Sequence, residues 1–101
     1  MNITINTIHF NADKELKSFI NSKLTKLTNY SDDILSAEVH LSLERSQTKN
    51  YDSKVSKIKV FVPGNELFAE KKAQTFEGAT DSAITALKNQ LIKRKEKFRQ
   101  N

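Results

Sequence analysis

Residues 75–101, TFEGATDSAITALKNQLIKRKEKFRQN, decide the fold. Thr75 stands where a helix N-cap belongs, and Glu77 and Asp81 fall early, where the positive end of the helix dipole favours acids. Phe76, Ala83, Ile84, Leu87, Leu91 and Phe98 recur at helical spacing as one apolar stripe. A helix with a single apolar face needs a partner surface of the same one-sided kind. The other face ends in charge. Lys88, Lys93, Arg94, Lys95, Lys97 and Arg99 stand against the single acid Glu96, a net +5 that equals the formal charge of the whole chain.

The partner surface is upstream. Ile34 to Glu44 alternates Ala37, Val39, Leu41 and Leu43 with Glu38, His40, Ser42 and Glu44, which predicts a strand with one buried and one wet face. Lys54 to Val62 repeats the pattern, with Ile58, Val60 and Val62 on one side and Lys57, Lys59 and Phe61 on the other. Pro63-Gly64-Asn65 marks a turn, because proline presets φ and glycine accepts a positive one. Glu66 to Ala73 returns as a strand with Leu67 and Ala69 inward. Arg45 to Ser53 is a polar connection, and Ser31-Asp32-Asp33 is a loop. Near the start, Asn2 to Phe10 reads as a strand led by Ile3 and Ile5. Asp13 then caps a helix over Lys14 to Asn29, striped by Leu16, Phe19, Ile20, Leu24 and Leu27 and closed by Tyr30.

The order is β-α-β-β-β-α. The fold class is α+β: a four-stranded mixed sheet with both helices packed on one face. A right-handed crossover through the first helix makes the first two strands parallel, and the rest an antiparallel meander. Residues 1–101 read as one domain, without repeat, linker or low-complexity segment.

Composition narrows the function. The 101 residues are 37% hydrophobic and 29% charged, as in a soluble globular protein. No apolar run approaches the roughly 20 residues of a membrane span, and MNITINTIHF lacks a signal peptide's basic start. The expected address is cytoplasmic, with no membrane partner. Without cysteine there is no disulfide or thiolate site. Gly64 and Gly78 are the two glycines, too few for a phosphate-cradling loop. His9 and His40 sit in predicted strands without a catalytic companion, and Asp32-Asp33 reads as a solvated turn. We therefore expect a non-enzyme, with no metal, no cofactor and no small-molecule substrate.

Seventeen Lys+Arg against twelve Asp+Glu instead favour a polyanionic partner. A solvated face is the plain alternative for the helix cations. One acid cannot balance six of them, however, and like charges on neighbouring turns repel. Candidate stacking rings are sparse (Tyr30, Tyr51, Phe61). That points to structured RNA read through its backbone rather than to single-strand base reading.

The residues also carry a resemblance. TFEGATDSAI (75–84), Gln90-Leu91 and Lys93-Arg94-Lys95-Glu96-Lys97 resemble the C-terminal helix of ribosome hibernation promoting factors, also called ribosome-associated inhibitors or sigma factor modulation proteins. His9-Phe10, Ala12-Asp13, Leu16, Lys23-Leu24, Lys26-Leu27, Val62-Pro63-Gly64 and Glu66-Leu67-Phe68-Ala69-Glu70 extend it along nearly the whole chain. The resemblance implies the same element order and a protein that binds the small ribosomal subunit in stress or stationary phase. Such a protein occupies the channel between head, body and platform, over the messenger and transfer RNA positions, and silences translation without catalysis. With the last residue at Asn101, the chain looks like the family's short form.

By matched position, Lys23, Lys26, Lys93, Lys95 and Lys97 are the expected contacts to ribosomal RNA; Arg94 and Arg99 join them on charge alone. The family often has cations where this chain has Ala86 and Asn89. Lys88 lies about 100° or more around the helix from either, and substitutes for them only if the helix is rotated. Ribosomal proteins are further expected contacts. Two rival readings share the basic face: a general double-stranded RNA-binding module, and a transcription-modulating protein-interaction domain.

Overall fold

The structure, a computed structural model, describes residues 1–8, 10–45 and 52–99; the side chains of Arg45, Asp52, Phe98 and Arg99 lie outside the description. Alternation becomes a sheet in sequential order, β1 (Asn2–Thr7), β2 (Ser36–Arg45), β3 (Asp52–Val62) and β4 (Asn65–Ala73). β1 lies parallel to β2, with Ile3 beside Ala37 and Ile5 beside Val39, as a crossover through a helix requires. β2 to β4 form the antiparallel meander, with Val39 beside Ile58 and Ile58 beside Ala69.

That register puts Ala37, Val39, Leu41, Ile58, Val60, Val62, Leu67 and Ala69 on one face, all buried. Two helices cover it: α1 (Lys14–Thr25) and α2 (Phe76–Arg99). Leu16, Ile20 and Leu24 of α1 join Ala83, Leu87 and Leu91 of α2 and these sheet residues in one core. The expected mixed sheet with two helices on one face is what forms. Among the described residues no helix is long and apolar enough to cross a membrane.

Both expected caps are made. The Leu16 N–H donates to Asp13 Oδ1 at 2.8 Å, and the Gly78 N–H donates to Thr75 Oγ1 at 3.0 Å. Two details differ from the sequence reading, and a third was not read from it. The first helix tightens into a 3-10 turn over Lys26–Asn29, where the Thr28 hydroxyl donates to the Thr25 carbonyl at 2.7 Å and competes with the α-helical ladder. β1 stops at Thr7, and Phe10 turns inward to stack on Phe76, ring centroids 4.6 Å apart. Thr80 is fully buried, its hydroxyl donating to Ser56 Oγ at 3.3 Å. His9, Tyr51 and most of the Arg45–Ser53 connection lie outside the described residues.

The sheet's other face is open and nearly charge-compensated. Glu38, Glu44, Glu66 and Glu70 stand among Lys57, Lys59 and Lys72. Lys59 lies 4.0 Å from Glu66, and His40 lies 3.8 Å from Glu38. Lys72 reaches Glu44 at 2.6 Å. This last bridge joins β4 to β2, so it arches over β3 at Val55, which is fully buried despite its place on the open face. Lys72 holds the Glu44 carboxyl below its ordinary pKa, and Glu44 in turn raises that of Lys72.

Candidate nucleic-acid interface

The excess positive charge sits on the helical side, and α2 divides it. At about 100° per residue, Lys93 and Lys97 fall on one flank, Lys88 and Lys95 on the other. Asn89, Ile92 and Glu96 form the crest between them. Lys93, Lys95 and Lys97 are exposed and form no ion pair among the described residues.

On the first flank, Lys93 and Lys97 overhang an open cleft floored by Pro63 and Leu67, with Gly64, Asn65, Gln90 and Arg94 beside them. The Gln90 amide nitrogen donates to the Phe68 carbonyl at 2.9 Å, so this side chain clips α2 to the edge strand β4. Ala86, half-buried, lies on this same flank, with the exposed Asn89 on the crest beside it.

The second flank is the groove between α2 and the α1 side. Lys23, Lys26 and Lys88 surround Leu27, Tyr30 and Ile84, and Lys95 lies just beyond, beside Asn29 and Tyr30. Tyr30 is the hub, with the Lys88 ammonium 5.2 Å from its ring centroid in a cation–π contact. Lys88 therefore does not stand in for cations at positions 86 and 89, because the helix turns it onto the other flank. Lys23 lies 3.2 Å from Asp81 and 5.5 Å from the Phe19 ring centroid, so a local carboxylate meets its charge.

Arg94 lines the Lys93–Lys97 cleft as well, but its charge is engaged differently from theirs. Its side chain is 17% exposed, and its two terminal nitrogens donate to Asp33 Oδ1 and Oδ2 at 3.4 and 3.1 Å. A planar guanidinium fork matches a carboxylate in this two-point way, whereas an ammonium does not. The Ser31 hydroxyl also donates to Asp33. These contacts hold the Asp33 carboxyl below its ordinary pKa, the Ser31 bond first, with partial burial opposing and Arg94 adding to the lowering. Asp33 is thus half of a long-range ion pair rather than a solvated turn residue. The Arg99 side chain lies outside the described residues.

Seven of the eight candidate cations thus resolve into two lysine flanks and a buried-side Arg94; the eighth is Arg99. Tyr30, read in the sequence as a candidate stacking ring and not as a partner of the cations, and the Pro63–Asn65 turn organise the flanks. Their signal in the sequence was a ring closing a helix stripe and a Pro-Gly turn, neither of which says what comes to lie beside it.

A family described as "Sigma 54 modulation protein / S30EA ribosomal protein" matches residues 3–99. The chain belongs to this family. The S30EA ribosomal protein family relatives include the ribosome hibernation promoting factor of Escherichia coli (strain K12), 31% identical over 101 residues, covering 100% of this chain and 98% of that protein. The ribosome hibernation promoting factor of Acinetobacter guillouiae is 29% identical over 100 residues, covering 95% and 88%. Among solved structures, the Thermus thermophilus Protein Y N-terminal domain superposes with a TM-score of 0.78 at 26% identity, covering 92% of this chain and 98% of that one. A ribosomal subunit interface protein from Coxiella burnetii reaches 0.81 at 19% identity, covering 95% and 99%, a likeness of fold alone. The resemblance carried by the sequence motifs and this family membership agree.

Proposed function

We propose that this protein is a ribosome hibernation factor that binds the small ribosomal subunit through the helical side of the sheet. Lys93, Lys97, Lys88, Lys95 and Lys26 meet ribosomal RNA phosphates. Arg94 holds α2 in place, and Lys23 contributes where it can exchange Asp81 for a phosphate. The bound domain fills the channel that messenger and transfer RNA use, silences translation by occupancy, and works in the cytoplasm without cofactor, small-molecule substrate, membrane contact or chemical step. What carries the reading is the segregation of charge. The open face balances its lysines with glutamates, while Lys93, Lys95 and Lys97 stand unpaired among the described residues. A family match running from residue 3 to residue 99, with full-length relatives named as ribosome hibernation promoting factors, supports the choice of the ribosome over other polyanions.

The test is cosedimentation with purified small subunits across a salt series. Each lysine that neutralises a phosphate adds about 0.7–0.9 to the slope of log affinity against log salt. The triple variant Lys93→Gln, Lys95→Gln, Lys97→Gln should keep its fold by circular dichroism, lose most binding, and flatten that slope by about 2. Filling the channel with messenger and transfer RNA should displace the unmodified protein. Unchanged binding by the triple variant, or equal affinity for isolated RNA duplexes, would discard the assignment.

A further inference from the structure

The two lysine flanks differ in what lies beneath the charge. Around Tyr30 the ring face is already covered by Lys88, and Lys23 is already paired with Asp81. On the other flank no described side chain fills the space. Lys93 and Lys97, about 6 Å apart along the axis of α2, stand over the apolar surface of Pro63 and Leu67. The cleft measures ≈ 580 Å³, within the range of about 300–1,000 Å³ typical of sites for small organic ligands. Gln90 cannot reach in with its amide nitrogen, which is held by the Phe68 carbonyl. Asn65 commits its amide oxygen to the Glu66 N–H at 2.8 Å, which leaves its amide nitrogen as a donor at the rim.

Two ammoniums that form no ion pair among the described residues, set over an apolar floor, suit a ligand that is anionic at one end and flat and apolar at the other. A bare phosphate track explains the lysines but not the floor. Resting on the RNA-binding reading above, we infer that this cleft takes one unstacked nucleotide of an RNA partner. Its base lies against Pro63 and Leu67, and its phosphate sits between Lys93 and Lys97. The cleft is then a specificity element within a surface that otherwise reads only charge. A base set against an apolar surface gains dispersion and sheds water regardless of its identity, so the site selects an extruded base over a paired one rather than one letter over another.

The experiment is a nuclear magnetic resonance titration of the full-length isotope-labelled chain at fixed ionic strength. The probes are adenosine 5′-monophosphate, ribose 5-phosphate and N-acetylphenylalanine. The inference expects saturable shifts of the Gly64, Asn65, Lys93 and Lys97 amides, with the nucleotide binding about fivefold or more tighter than the base-free sugar phosphate. It also expects the double variant Lys93→Gln, Lys97→Gln to lose them while Lys88→Gln, Lys95→Gln retains them. Equal binding of nucleotide and sugar phosphate would reduce the cleft to a charged patch and overturn the inference. So would shifts centred on Tyr30, or tighter binding of N-acetylphenylalanine, which would give the cleft to a peptide carboxylate. Ribosome cosedimentation of the same samples keeps the two readings apart. Subunit binding without base selectivity removes this inference alone, and base selectivity without subunit binding removes the proposed function alone.

Discussion

A guanidinium that pairs with a carboxylate 61 residues away along the chain does different work from an ammonium left in water. Arg94 ties α2 to the loop that leads into β2, and so fixes the angular position from which its lysine neighbours project. Asp33 is 39% exposed, so solvent screens the pair. We expect Asp33→Asn to cost only about 0.5–1 kcal/mol at neutral pH, a fall in Tm of about 2–6 °C for a chain of this size. The sign of the pH dependence follows from the lowered Asp33 pKa. The folded state holds the proton less tightly than the unfolded state, whose value is near 3.8. The contribution is therefore complete above pH 3.8 and disappears as the pH falls through the folded-state value. Thermal melts of the two proteins should differ at pH 7, begin to approach each other below pH 3.8, and converge once the pH passes below the lowered folded-state value. A gap that persisted in strong acid would mean that the pair is not its source.

The strands and helices were legible because each is one-sided. The alternation of Ala37, Val39 and Leu41, the stripe of α1, and the caps Asp13 and Thr75 are local signals, and each became the element it implied. What was not legible depends on distant partners. Phe10 leaves the strand pattern for Phe76, Thr80 is buried because Ser56 is there to receive its hydroxyl, and Tyr30 meets Lys88 across the helix groove. The same limit divides the site. A helical wheel separates Lys93 and Lys97 from Lys95, but cannot tell that one flank overlooks a turn and the other an aromatic ring.

The turn itself is a test of the local reading. Gly64 has φ +75°, and Pro63 before it has φ fixed near −65°. Turns that need positive φ at the first central position are therefore excluded, leaving the type II form. A Cβ at Gly64 would meet nothing within 4 Å, so Gly64→Ala should cost only the backbone term, about 1–2 kcal/mol. Gly64→Asn should recover much of it, because asparagine tolerates the left-handed region. Urea unfolding should show the midpoint fall for alanine at an unchanged m value. Equal losses for both substitutions would point to a lost contact rather than backbone strain.

For the whole molecule, the placement of charge matters more than its sum. The protein is a two-faced slab, with acids and lysines interleaved on the bare sheet and, on the helical side, Lys93, Lys95 and Lys97 without an ion pair among the described residues. A helix about 10 Å thick separates those faces, and the Debye length at physiological salt is about 8 Å. A charge on the open face is therefore largely screened from a polyanion held at α2. Replacing Glu38 and Glu70 by glutamine raises the net charge of +5 by two units without touching the lysine flanks. If binding follows net charge, affinity for the small subunit should rise with the loss of those acids and the salt slope should steepen. If it follows placement, affinity at physiological salt should stay within about threefold and the slope should hold, because no additional phosphate contact forms. The second outcome is the one expected here. At low ionic strength, where the Debye length grows to about 30 Å, the same variant should associate faster, since long-range steering acts on the encounter and not on the seated complex. A large affinity gain at physiological salt would show that the open face also meets the polyanion, and would remove the directional basis of the proposed interface.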